Sequence, residues 1–313
     1  MERFFLLPIE ACSRKAGIPM IISITAALSG HRHARAGRIC PRPGGGNPLA
    51  ITGRALAIAA MALIAFSAPV SAMDEAAASP SKHAAPARNV VLVHGAWADG
   101  SSWSRVIPIL QAAGLNVTSV QNSLSTLAQA DADARRALDA QDGPTVLVGH
   151  SWSGTVVSDV GGDPKVTALV YVAARAPAAS EDFVALQSTF PKTPARAGIV
   201  ERGGYTTLSR EAFLNYFANG VPDRDANVLY AVQQPTAASL FGERTSETAW
   251  TLKPSYYAVS AEDMTIAPEF QRHLAARMGA ETVELDAGHL SMFSHPQAVA
   301  DLIIRAAKGT GEN

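Results

Sequence analysis

Six short strand-like runs, most of them apolar and separated by helical patterns, restrict this chain more than any other feature. They are "NVVLVHG" (89–95), "LNVTSV" (115–120), "PTVLVG" (144–149), "VTALVYVA" (166–173), "PSYYAVS" (254–260) and "ETVELD" (281–286). Their β-branched content and turn-residue borders read as strands. Helical periodicity lies between them: over 102–113, stopped by Gly114; over 124–141, through Leu127, Ala130, Ala134 and Leu138; from about Trp152; over 267–278; and over 296–308. The apolar strands among them are covered on both faces, and strand–helix alternation makes neighbours parallel. The expected class is α/β: a mostly parallel sheet of about six strands, with helices on both faces. The alternation fails over about 175–253, a turn-rich stretch with no clean strand. It holds nine aromatics, among them Phe183, Phe213, Phe241 and Trp250, and reads as a cap insert over a pocket.

The chain is 313 residues long, 48% hydrophobic and 17% charged, enough to bury a large core. Residues 1–72 hold 8 Lys/Arg against 2 Asp/Glu, a balance of +6. Residues 73–313 hold 18 against 25, a balance of −7. The body is mildly acidic, with no basic stripe interleaved with aromatics, which argues against a nucleic-acid partner. Both cysteines, Cys12 and Cys40, fall in the basic leader. The body therefore has no disulfide, thiolate metal site or cysteine nucleophile.

Within the leader, Arg54 precedes an apolar run from Ala55 to Phe66, then Pro69 and the small residues Val70-Ser71-Ala72. This is the order of a secretory signal, and it predicts cleavage after Ala72 and export. The run is shorter than the roughly 20 residues of a membrane span, so no stable membrane anchor is expected. An uncleaved signal acting as an anchor is the alternative. His31, His33 and Cys40 lie in basic, Gly/Pro-rich, aperiodic sequence that reads as leader rather than metal site. Residues 73–88 read as a linker, and 89–310 as the folded domain.

The chemistry is concentrated in "GHSWSG" (149–154), where a buried strand gives way to a helix. A serine at such a junction sits on a nucleophile elbow. Ser153 stands where the G-x-S-x-G pattern has its second glycine, but Gly149 and Ser153 are both small. A serine needs a base. His94 and His150 sit within strand-end motifs, His273 lies mid-helix and His295 precedes a proline. That leaves His289 in "DAGHLSMF", past the last strand. The loops at strand C-termini gather at one sheet edge, so Ser151 and His289 converge. The imidazole needs a carboxylate. Glu262, Asp263 and Asp286 are available, and Asp263 is favoured by the place of its loop around the edge. Turn capping is the competing role for Asp263. Backbone N–H groups of Trp152 and of Ala96, in "HGAW", would form the oxyanion hole.

Residues 89–308 resemble the α/β-hydrolases of the plant hydroxynitrile lyase and methylesterase branch and its bacterial relatives. "LVHGAWADGSSW", "GHSWSG" and "AGHLSMFSHP" carry the resemblance. It implies an α/β-hydrolase fold, a triad of Ser151, Asp263 and His289, and oxyanion donors at Ala96 and Trp152. The expected function is serine hydrolysis of a small or medium apolar carboxylic ester. The substrate is thus a small molecule. There is no metal-ligand spacing or dinucleotide fingerprint, so no cofactor is expected. A carbon–carbon lyase of the hydroxynitrile type and a ligand carrier with incidental turnover are the alternatives. In the resembling lyases a lysine follows the catalytic histidine; here Leu290 does.

Overall fold

The computed structural model describes residues 86–309. The leader, its signal sequence and most of the linker lie outside the described residues. The strands are β1 (Asn89–Val93), β2 (Asn116–Val120), β3 (Thr145–His150), β4 (Val166–Val172), β5 (Ile199–Arg202), β6 (Tyr205–Leu208), β7 (Thr236–Ala237), β8 (Ser255–Ser260) and β9 (Glu281–Leu285). Six of them form one sheet in the order β2-β1-β3-β4-β8-β9. Every pairing in it is parallel. The expected parallel sheet of about six strands is therefore present, with each strand within about two residues of its sequence-derived limits.

Burial explains the order. In the central β1, the side chains Val90, Val91, Leu92 and Val93 have no exposed surface. Each contributes roughly 1.5–3 kcal/mol relative to exposure. The edge strands β2 and β9 carry the polar residues; β2 is mostly half-buried and β9 mostly exposed. The helix Pro296–Lys308 packs on β3, β4 and β8 and against the helix Ile107–Ala112. The helices Leu127–Asp139 and Gly154–Val160 pack on one another, the first against β1 and β2, the second against β3 and β4. Right-handed crossovers place these two pairs on opposite faces, because the chain reverses direction across the sheet after β2. That reversal opens a crevice beyond the C-terminal ends of β1 and β3.

Two expectations are corrected. The continuous helix over 102–113 is split into a 3₁₀ turn at Gly100–Trp103 and an α-helix at Ile107–Ala112. Asp99 caps the turn by accepting the Ser101 N–H at 2.9 Å. Pro108 lacks an N–H, so it is tolerated only near a helix start. The second correction concerns 175–253, which contains strands after all. Strands β5, β6 and β7 form a three-stranded antiparallel sheet. The β5–β6 hairpin turns on Gly203 and Gly204 at φ +59° and +80°. Two positive-φ residues form the turn that suits the twist of a two-residue hairpin loop. Among the described residues, no helix is long and apolar enough to cross a membrane.

Candidate active site

The loops after β1, β3, β8 and β9 meet at the crevice. Ser151 directly follows β3 with φ +55°, a left-handed conformation that is strained for a non-glycine residue. The turn around it is tight. A Cβ at Gly149 would come within 2.6 Å of Val157, and one at Gly154 within 1.9 Å of the Arg175 carbonyl oxygen. The close approach in this chain thus falls on Gly149 and Gly154, which frees position 153 for a side chain. Ser153 is fully buried. Its hydroxyl faces the carbonyl oxygens of Val93, at 2.7 Å, and His150, at 2.8 Å. It holds the elbow to the end of β1, which a glycine could not do.

His289 Nε2 lies 2.8 Å from Ser151 Oγ, and its Nδ1 lies 2.7 Å from Asp263 Oδ2. With Nδ1–H donated to the carboxylate, Nε2 is free to accept the serine proton. All three side chains are buried: Ser151 is 5% exposed, Asp263 4% and His289 0%. Glu262 and Asp286 are exposed. Asp263 also performs the competing role: its Oδ1 accepts the Thr265 and Ile266 N–H groups at 2.7 and 2.9 Å.

One neighbour, Gln271, escapes sequence reasoning, and a second, His150, is the strand-end histidine. Gln271 donates to Asp263 Oδ2 at 2.7 Å and to the Ile266 carbonyl at 2.9 Å, while its Oε1 accepts the Ser260 N–H at 3.0 Å. Its only sequence signal is a polar residue on the face of Pro268–Met278 that carries the buried Phe270 and Leu274. His150 donates from Nε2 to the His289 carbonyl at 3.0 Å, and the two rings lie 4.7 Å apart. Burial, then the nearby His289, pushes the His150 pKa well below the usual histidine value, so it stays neutral. His94 is also buried, with a lowered pKa, and donates to the Gly95 carbonyl.

The serine opens into a cavity of about 170 Å³. Ala96, Trp97 and Trp152 line it beside Ser151. Val184, Ala195, Ile199 and Phe241 close it from the 175–253 stretch, as do the guanidinium-bearing Arg175 and Arg196. Trp97 ties the two parts together. Its backbone N–H donates to Thr236 Oγ1 and its indole N–H to Thr206 Oγ1, both at 3.1 Å. Arg175, just past the end of β4, and Arg196, in the insert, are the two cations that border the cavity among the described residues.

A family model described as the alpha/beta hydrolase family matches residues 90–302. The chain belongs to the alpha/beta hydrolase family. It is similar to Methylesterase 8 of Arabidopsis thaliana, 26% identical over 249 residues, covering 70% of this chain and 89% of that protein. Among solved structures, polyneuridine aldehyde esterase superposes with a TM-score of 0.60 at 19% identity, covering 69% of this chain and 97% of that one. A pyrethroid hydrolase from Sphingobium faniae JZ-2 gives a TM-score of 0.60 at 22% identity, covering 72% and 100%. These similarities agree with the methylesterase branch that the motifs resemble. The alpha/beta hydrolase fold explains why Ser151 and His289, distant in sequence, share one edge: both follow parallel strands of the same sheet.

Proposed function

We propose that this protein is a serine hydrolase that cleaves a small or medium carboxylic ester through an acyl-enzyme on Ser151. The observation that carries this reading is the relay from Ser151 Oγ through His289 to Asp263, opening into a largely apolar cavity. Ser151 attacks the ester carbonyl as His289 Nε2 takes its proton. Ala96 and Trp152 line the cavity beside Ser151, and their backbone N–H groups would hold the oxyanion. His289 then protonates the departing alcohol, with Asp263 holding its tautomer and stabilising its charge. Water, activated by the same imidazole, releases the acid.

A second reading, cyanohydrin cleavage, keeps the triad and needs a cation for departing cyanide. The residue after His289 is the buried, apolar Leu290, which does not favour it. Arg175 and Arg196 on the cavity wall supply positive charge from elsewhere. Assays with 4-nitrophenyl acetate and with mandelonitrile separate the two. We expect repeated turnover of the ester, lowered by roughly four to six orders of magnitude in Ser151→Ala. Mandelonitrile should break down at the buffer rate. A Ser151→Ala protein with near-native esterase activity would remove the site; Ser151-dependent release of benzaldehyde would establish the lyase instead.

A further inference from the structure

Arg175 is 5% exposed and lines the same cavity as Ser151. Keeping a guanidinium out of water is costly unless an anion and hydrogen bonds compensate it. The compensation present is small. Its Cζ sits 4.3 Å from the Phe183 ring centre, and Nη1 donates to the Phe241 carbonyl at 3.3 Å. Its Nε is buried and has no hydrogen-bond partner among the described residues. Glu181 is the acid whose field reaches it. The Glu181 oxygens are already occupied, accepting from Arg277 at 2.7 and 3.2 Å and from the Ala178 N–H at 3.0 Å. The other charged lining residue among those described is Arg196, of the same sign and exposed. Burial, and then the charge of Arg196, pulls the Arg175 pKa down to about 9, which still leaves it protonated at neutral pH.

A cavity wall with two positive charges and no acid lacks one component, an anion. A carboxylate suits it best, because a planar guanidinium pairs with one through parallel hydrogen bonds. Arg175 is also rooted beside the nucleophile: its backbone N–H donates to the Ser151 carbonyl at 2.9 Å. The part of an ester that remains at Ser151 through both half-reactions is the acyl part. We propose that Arg175, assisted by Arg196 at the rim, binds a free carboxylate on the acyl part of the substrate. The ester cleaved is then the monoester of a dicarboxylic acid. Water adds across the ester bond, the alcohol and the dicarboxylate leave, and the carboxylate at Arg175 is unchanged. This rests on the ester-hydrolase reading.

The test compares mono-4-nitrophenyl glutarate with 4-nitrophenyl 5-methylhexanoate, which replaces the carboxylate by an uncharged group of the same shape. The wild-type protein should favour the glutarate by about 10–100-fold in kcat/KM, the range of a charge-assisted hydrogen bond, and mainly through KM. Arg175→Met should collapse that ratio toward one, and Arg175→Lys should retain part of it. An arginine that only packs against Phe183 would leave the ratio unmoved. Equal use of the two esters by the wild type, or a glutarate preference that survives in Arg175→Met, overturns the proposal even if both esters are cleaved. Calorimetry on Ser151→Ala covers the case in which neither ester turns over, which would count against hydrolysis itself. Monomethyl glutarate should bind at least about tenfold more tightly than methyl 5-methylhexanoate. If it does not, the anion site is wrong whatever the chemistry at Ser151.

Discussion

Asp263 divides two tasks between its two oxygens. Oδ1 closes a turn on the backbone of Thr265 and Ile266, while Oδ2 holds His289 and is itself held by Gln271. Asp263→Asn should therefore cost about 10⁴-fold in kcat, since the amide favours the wrong imidazole tautomer, with a much smaller loss of stability. Gln271→Met acts one residue further out. It strips partners from the Ser260 N–H and the Ile266 carbonyl, at a cost of roughly 1–3 kcal/mol. Its kcat should fall far less than that of Asp263→Asn. Steady-state rates on 4-nitrophenyl acetate and urea midpoints read both effects. Glu262→Gln or Asp286→Asn proving more damaging than Asp263→Asn would reverse the assignment. Sequence spacing narrowed the acid to three residues, two of them adjacent. Which of Glu262 and Asp263 turns inward depends on how the loop leaves Ser260, and that is set by Gln271, a residue in the next helix.

At the level of elements, the four inner strands β1, β3, β4 and β8 were legible because burial on both faces leaves nearly uninterrupted apolar runs, and the more polar edge strands β2 and β9 were legible from their β-branched residues within the strand–helix alternation. The elbow was legible because small residues recur where strand and helix nearly touch. The antiparallel sheet was not. β5 is exposed along its whole length, so it has no apolar run, and β7 is two residues long and pairs with β6 from a distance in sequence. The Gly203-Gly204 pair is the sequence signal that could have marked the hairpin. Arg175 was equally unreadable, since its burial depends on how that insert folds back. The elbow itself makes a prediction. Ser153→Gly would restore the G-x-S-x-G pattern, yet it should destabilise the protein. Lost conformational restriction costs about 0.5–1 kcal/mol and a lost buried hydrogen bond about 1–2 more. Activity should stay within about tenfold, because Ser153 contacts strand backbone and not the reacting atoms. Urea unfolding with a parallel esterase assay measures both, and a stabilised Ser153→Gly protein would show that the hydroxyl holds nothing.

Across the whole molecule, one buried acidic pair joins two helices to the far end of the insert. Asp131 lies on the helix Leu127–Asp139 and Asp159 on the helix Gly154–Val160, both buried. Asp159 Oδ1 accepts the backbone N–H groups of Ser246 and Glu247, at 2.7 and 2.9 Å, and the Ser246 hydroxyl at 2.9 Å. Burial first, and then the Asp159 carboxyl beside it, pushes the pKa of Asp131 up to about 8. The unfolded chain releases that proton near pH 3.8. Between those values the native state holds one proton more than the unfolded state, so this group's contribution to stability declines as pH rises from about 4 to about 8. Asn at this position can still donate a hydrogen bond but has no proton to lose. We therefore expect the difference in melting temperature between Asp131→Asn and the wild type to grow steadily in favour of the variant from pH 5 to pH 8.5. Scanning calorimetry of the two proteins across that range gives the difference directly, and other titrating groups, common to both, cancel. Parallel curves would mean that Asp131 is already ionised in the native protein and that its carboxylate is paid for by contacts other than a shared proton.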